Sequence, residues 1–226
     1  MTVNVEELAI AILGGTGDQG RGLAYRFARA GHRVIIGSRS EERAQTAAGE
    51  LTGSLPGGAG GPVEGRTNSD ASGQADVVIA AVPWDGHAEL LASLATELAG
   101  KIVIDCVNPL GFDAKGAYAL PVPEGSAAQQ AAAVLPDSTV VAAFHHVSAK
   151  LLLDAEVDTV DLDVLVLGDD REATDLVQAL AAQIPGVRGV YAGRLRNAGQ
   201  VEALTANLVS VNRRYKAHAG LRVTDI

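Results

Sequence analysis

Leu13-Gly14-Gly15-Thr16-Gly17-Asp18-Gln19-Gly20 is the stretch on which the reading of this chain turns. It follows an apolar run, Leu8 to Leu13, that predicts a buried strand, and it opens a helical pattern from Gln19 to Ala30. Gly15, Gly17 and Gly20 stand in G-x-G-x-x-G spacing. Between a strand and a helix, that spacing predicts a tight turn whose bare backbone N–H groups meet a pyrophosphate at the helix N-terminus. With 26 glycines in the chain the spacing alone is weak; its placement carries the inference.

Working outward, Gly31-His32 ends the first helix and Arg33 to Gly37 reads as a second strand. Glu41 to Leu51 is alanine-rich and helical, Gly53 to Pro62 reads as a mobile surface loop, and Val63 to Thr67 as a short strand. Asp76 to Val82 is a buried strand stopped by Pro83. Asp85 to Leu98 has helical periodicity with Asp85 as its N-cap, and Lys101 to Cys106 is the next strand. Gly111 to Gly125 reads as an irregular surface connection. Ser126 to Leu135 (helix), Thr139 to Phe144 (strand), Leu162 to Leu167 (strand), Arg171 to Ile184 (helix) and Gly189 to Tyr191 (strand) come next. A helix from Gln200 to about His218 closes the chain. Strand and helix thus alternate at close intervals. The expected class is α/β, a Rossmann-type doubly wound parallel sheet, with an organisational boundary near Phe144.

At 226 residues and 47% hydrophobic composition the chain supports a substantial core. A net charge of −9 argues against general affinity for nucleic acid or an anionic membrane, so an anionic ligand needs a local group of cations. No apolar run reaches the roughly 18–20 residues of a membrane span, and Met1 to Glu7 lacks the pattern of a secretory leader. A cytoplasmic address is the expectation. The single cysteine, Cys106, allows neither an intrachain disulfide nor a cysteine-clustered metal site.

The second strand identifies the dinucleotide. In this fold a carboxylate at its tip holds the ribose hydroxyls of NAD. Here the tip reads Gly37-Ser38-Arg39-Ser40, with Arg43 one turn on. A 2′-phosphate would be repelled by a carboxylate and is matched by guanidinium donors, so Ser38, Arg39 and Arg43 predict NADP. The competing reading makes both arginines solvated partners of Glu41 or Glu42. Thr16 can donate its hydroxyl to a phosphate oxygen, or serve the turn itself.

Two further strand ends face the same crevice. Val82 and Pro83 offer an apolar ledge for a nicotinamide ribose and ring, and Asn108 a partner for the ring carboxamide. Trp84, the only tryptophan, stands where a cofactor ring needs a wall, though it could equally be a core anchor. His145-His146 follow a strand, where at least one is expected to meet a ligand; no nearby ligand set favours a metal. Lys150, Arg194, Arg196, Arg213 and Arg214 are further cations, most read as solvated helix faces.

Together these landmarks resemble the NADPH-dependent reductases of the 5-deazaflavin coenzyme F420. The resemblance is carried by Leu13 to Gly17, Gly31-His32 leading to Gly37-Ser38-Arg39, and Val82-Pro83-Trp84. His145, Gly168-Asp169-Asp170, Ala192-Gly193 and Val201-Glu202-Ala203-Leu204-Thr205 complete it, nearly end to end. It implies an NADP-binding Rossmann domain, residues 1–144, and a smaller C-terminal domain, residues 145–226, closing a deazaflavin cleft. It implies NADP contacts at Gly15, Thr16, Gly17, Asp18, Gln19, Ser38, Arg39 and Arg43, and a nicotinamide half near Val82, Pro83, Asn108 and Ala149. His145 to Ala149, Asn207 and Leu221 would border the deazaflavin. Hydride would pass directly between the two rings, so no acid–base residue is assigned as catalytic. A homodimer is expected from the apolar last helix.

Two other readings share the N-terminal features. One is an NADP-dependent reductase of a small imine or of a hydroxy or keto acid, which usually adds a large helical domain with a proton donor; only about 80 residues follow Phe144, with Lys150 and Lys216 their sole lysines. The other is a non-catalytic NADP-binding sensor, which needs no second ring site.

Overall fold

Alternation along the first strand sets the layers. In β1 (Ala9–Leu13), Ile10 and Ile12 enter one core while Ala11 and Leu13 enter the other, all four fully buried. A strand with apolar residues on both faces must be covered on both, which a parallel sheet with crossover helices achieves. The computed structural model describes residues 5, 6, 8–58 and 60–226. The N-terminal reading therefore lies largely outside the described residues, as does Ala59 of the glycine-rich loop.

β2 (Arg33–Ser38) and β3 (Val63–Thr67) lie to one side of β1. β4 (Val77–Ala80) and β5 (Ile102–Asp105) lie to the other. After the hairpin of β6 (Leu110–Asp113) and β7 (Gly116–Ala119) come β8 (Thr139–Ala142), β9 (Leu162–Gly168) and β10 (Val187–Gly193). The main sheet runs β3-β2-β1-β4-β5-β8-β9-β10, parallel except where β9 meets β8. The strands beyond Phe144 thus extend the same sheet.

One face carries α1 (Asp18–Arg29), α2 (Glu41–Ser54), α7 (Ala149–Leu153) and α8 (Arg171–Ala181). The other carries α3 (Asn68–Gln74), α4 (His87–Ser93), α5 (Ala95–Leu98), α6 (Ala127–Val134) and α9 (Ala198–Tyr215). The chain reverses its winding between β1 and β4. This is the Rossmann arrangement, and its crevice opens where these two strands end.

Several local expectations change. The helix expected from Asp85 starts at His87, because Gly86 takes φ +84° and becomes the N-cap; Asp85 stays exposed. Gly111 to Gly125 contains a real hairpin, its turn closed by Asp113 Oδ1 accepting from Lys115 N and Gly116 N. The glycine-rich loop is partly packed: α2 continues to Ser54, and Gly61 N donates to Ala28 O at 2.8 Å. α3 and α7 are helices that short, polar or loop-like sequence concealed.

A buried guanidinium joins the two parts of the chain. Arg26 of α1 donates to the carbonyls of Leu151, Leu152, Asp154 and Val157 at 2.5–3.0 Å. These are the orphan carbonyls at and beyond the end of α7, so a side chain satisfies what the short helix leaves open. The segment after His145 is thereby fixed against the glycine-turn helix.

Candidate active site

The turn is built as the spacing predicts, and its glycines have separable reasons. A Cβ at Gly20 would lie 2.7 Å from Gly14 O, and one at Gly15 2.9 Å from Ile12 O, so protein packing alone excludes side chains there. At Gly17 the nearest protein atom is 3.5 Å away. A side chain would fit the protein at Gly17; what it would fill is the space before the helix. Gly17 is the N-cap of α1 and no side chain caps that end. The first N–H groups of the helix are therefore open to an anion, the arrangement a pyrophosphate requires.

That open end faces a cavity of about 560 Å3. Thr16, Gly17, Asp18 and Gln19 line it from the turn, Ser38, Arg39 and Arg43 from the tip of β2, and Val82 and Pro83 from the end of β4. Gly15 itself is buried beneath the turn. Neighbouring arginines are paired: Arg21 with Glu50 at 3.0 Å, Arg33 and Arg66 with Glu64 at 2.9 and 3.0 Å. Arg39 and Arg43 are exposed, and neither guanidinium has a partner among the described residues. Of the two alternative partners, Glu41 bonds Gln45 instead, and Glu42 pairs with neither arginine among the described residues. Ser40 caps α2 by accepting from Arg43 N. The donor set fits a 2′-phosphorylated dinucleotide: an uncapped helix end, a hydroxyl and two free guanidinia, with no carboxylate at the strand tip.

A second cavity of about 250 Å3 abuts the first, sharing Gln19, Ala81, Val82 and Pro83. Trp84, Cys106, Val107 and Asn108 complete its lining. Asn108 is more engaged than expected: its Nδ2 donates to His145 O at 2.8 Å and its Oδ1 accepts from Thr205 at 3.4 Å. It ties the β5 loop to the segment after β8 and to α9. Beside this tie Phe144 holds φ +63°, an uncommon conformation for a bulky residue, and its carbonyl accepts from Gln19.

His145 and His146 are both buried, and burial pulls each down to about 4, so both are neutral. His146 Nε2 accepts weakly from Leu165 N, a core role. Neither ring nitrogen of His145 has a partner among the described residues. Ala149 begins α7, packed on α1. Asn207 is exposed on α9, and Leu221 is held by its carbonyl to Asp163 N at 2.8 Å; neither lines the two cavities.

Beneath the second cavity lies a charged network that sequence spacing did not reveal. His87 Nε2 lies 2.6 Å from Asp105 Oδ2, both fully buried, and His87 Nδ1 meets Gln130 Oε1 at 3.1 Å. Burial opposes the imidazolium, but the Asp105 carboxylate, with Gln130 and Glu202 adding to it, holds His87 above its ordinary value. Asp105 Oδ1 also accepts from Val107 N, fixing the loop that carries Asn108. Glu202 caps α6 through Ala127 N and Ala128 N. Residues 18 and 97 apart in sequence leave no local pattern. Among the described residues no group of three or more His, Cys, Asp or Glu could hold a metal ion.

A family profile described as NADP oxidoreductase, coenzyme F420-dependent, matches residues 9–109. The F420-dependent NADP reductase of Methanothermobacter thermautotrophicus is 41% identical, over 99% of this chain and 98% of its own. That of Methanocaldococcus jannaschii is 40% identical, over 97% and 99%. A crystal structure from Arthrobacter sp. FB24, described as a candidate F420-dependent NADP-reductase, superposes with a TM-score of 0.80 at 27% identity, covering 96% of this chain and all of that one.

Proposed function

We infer the activity from membership: the chain belongs to the coenzyme F420-dependent NADP oxidoreductases, and it transfers hydride between NADP(H) and the 5-deazaflavin coenzyme F420. The observation that supports this reading best is the pair of guanidinia without partners among the described residues, Arg39 and Arg43, sharing one cavity with an uncapped helix N-terminus. The two bound nucleotides would supply the hydride donor and the hydride acceptor, and the residues of the crevice would hold them against each other.

The protein's share is placement and electrostatics. Ser38, Arg39 and Arg43 hold the 2′-phosphate, and Gly15 to Gln19 the pyrophosphate. Val82 and Pro83 support the nicotinamide ribose, with Trp84 as a wall. Asn108, braced by Asp105 through Val107, keeps His145 and Thr205 at fixed separation beside the ring. Residues 145–226 form the deazaflavin side of the cleft, with Asn207 and Leu221 at its margin. We extend the proposal to a homodimer, because Phe112 and Tyr215 are 70% and 74% exposed on the hairpin and α9. The proposed address is the cytoplasm; among the described residues no helix is long and apolar enough to cross a membrane.

Mixing the chain with NADPH and oxidised F420 should bleach the deazaflavin absorbance, far faster than with NADH. Turnover with an imine or keto acid but not with F420 would overturn the reading, as would binding of NADPH without turnover on any acceptor.

A further inference from the structure

The second cavity has two walls from different strands, and one buried side chain joins them. Ala81 to Trp84 follow β4, and Cys106 to Asn108 follow β5. His87 N donates to Trp84 O at 3.1 Å, closing a turn in which Gly86 takes φ +84° and ψ +10°, the third-residue conformation of a type II turn. The turn sets the His87 ring against the Trp84 indole, with centroids 5.7 Å apart and planes 33° from parallel. The imidazole is itself held at both nitrogens, Nε2 by Asp105 Oδ2 at 2.6 Å and Nδ1 by Gln130 Oε1 at 3.1 Å. Gln130 Nε2 donates to Glu124, so the amide oxygen is the end turned towards His87. Two acceptors on two ring nitrogens require an N–H on each, which makes the ring an imidazolium. Asp105 carries the link onward, its Oδ1 accepting from Val107 N at 3.0 Å.

We propose that His87 is a positioning residue for hydride transfer: it braces the Trp84 wall against the β5 loop and so sets the width of the cavity that receives the nicotinamide. The inference rests on the nicotinamide reading of that cavity. His87 is fully buried and touches neither nucleotide; it acts through Trp84 on one side and Asp105 on the other. A buried ion pair adds little stability over apolar residues of the same volume, but its hydrogen bonds admit one geometry, which is what a brace requires. The contact with the indole is a cation on an aromatic face, so the same charge that pairs with Asp105 also holds Trp84. His87 does not line the first cavity, where the 2′-phosphate and pyrophosphate are gripped. Loss of the brace should therefore spare nucleotide affinity and misplace the reacting ring, and a displacement of about 1 Å there costs on the order of a hundredfold in rate.

Trp84 is the only tryptophan, so the fluorescence of the full chain reports the brace directly. In the wild type without nucleotide, contact with the imidazolium should quench the indole, and its anisotropy should decay only with overall tumbling. His87→Gln should brighten the emission and add a fast component to the anisotropy decay. With NADPH and F420 it should lower kcat by about ten- to a hundredfold while KM for NADPH stays within about twofold of wild type. The double variant His87→Leu with Asp105→Asn leaves no stranded carboxylate; it should show the same changes and is the one measured if His87→Gln does not fold. A lowered melting temperature with wild-type kcat in the folded variant overturns the proposal, as does a raised KM with kcat unchanged. A freely rotating Trp84 in the wild type overturns it without any variant. Absence of F420-dependent NADPH oxidation by the wild type overturns the nicotinamide reading instead, and the anisotropy then judges the brace by itself.

Discussion

Glu202→Gln should reverse a pH-dependent weakness built into the core. Glu202 is 2% exposed, its Oε2 accepting from Ala127 N at 2.9 Å and its Oε1 from Ala128 N at 3.2 Å. Burial pushes its carboxyl from an ordinary 4.5 up to about 7, against the pull of those two donors, and nearby Asp105 pushes the same way as burial. The folded chain therefore binds this proton more tightly than the unfolded one. The stability loss is absent below pH 4.5, grows as pH rises and is complete above pH 7. Its full size is about 3 kcal/mol. Glutamine cannot ionise, but its Nε2 confronts one backbone donor and forfeits about 0.5–1.5 kcal/mol. Urea denaturation without cofactor should find the variant equal to or slightly below wild type at pH 5. By pH 8 the difference should have moved about 2–3 kcal/mol in its favour. Taking differences cancels His145 and His146, whose depressed values make stability rise with pH between about 4 and 6.5. Parallel curves for the two proteins across this range would refute the reasoning.

Arg39→Ala or Arg43→Ala should raise KM for NADPH by roughly ten- to a hundredfold, the weight of one charged phosphate contact, and leave kcat and the NADH kinetics nearly unchanged; equal losses with both nucleotides would remove the 2′-phosphate assignment. Gly20→Ala should abolish NADP+ binding in calorimetry and lower the melting temperature, since its Cβ meets Gly14 O at 2.7 Å; wild-type affinity would show that the turn yields. Asp105→Asn should cost about 3–5 kcal/mol in urea denaturation near neutral pH by stranding the buried His87. A loss below about 1 kcal/mol would mean that the pair carries little.

The sequence by itself determined the glycine turn, the alternation of strand and helix, and the chemistry of the β2 tip. These are legible because each depends on neighbours in the chain: a strand's apolar run, a turn's glycines, two arginines one helical turn apart. The resemblance added the deazaflavin, through motifs scattered from Leu13 to Thr205. Tertiary structure decided every feature that needs distant residues to meet. Only the fold shows that Arg39 and Arg43 are unpaired among the described residues while their neighbours are not, and that Asn108 is tied to His145 and Thr205. It alone buries His87 against Asp105, and sets Asn68 against the bare backbone of Gly37. A parallel sheet gathers the ends of strands separated by tens of residues at one edge, so the site's polar partnerships are long-range and leave no period in the sequence to read.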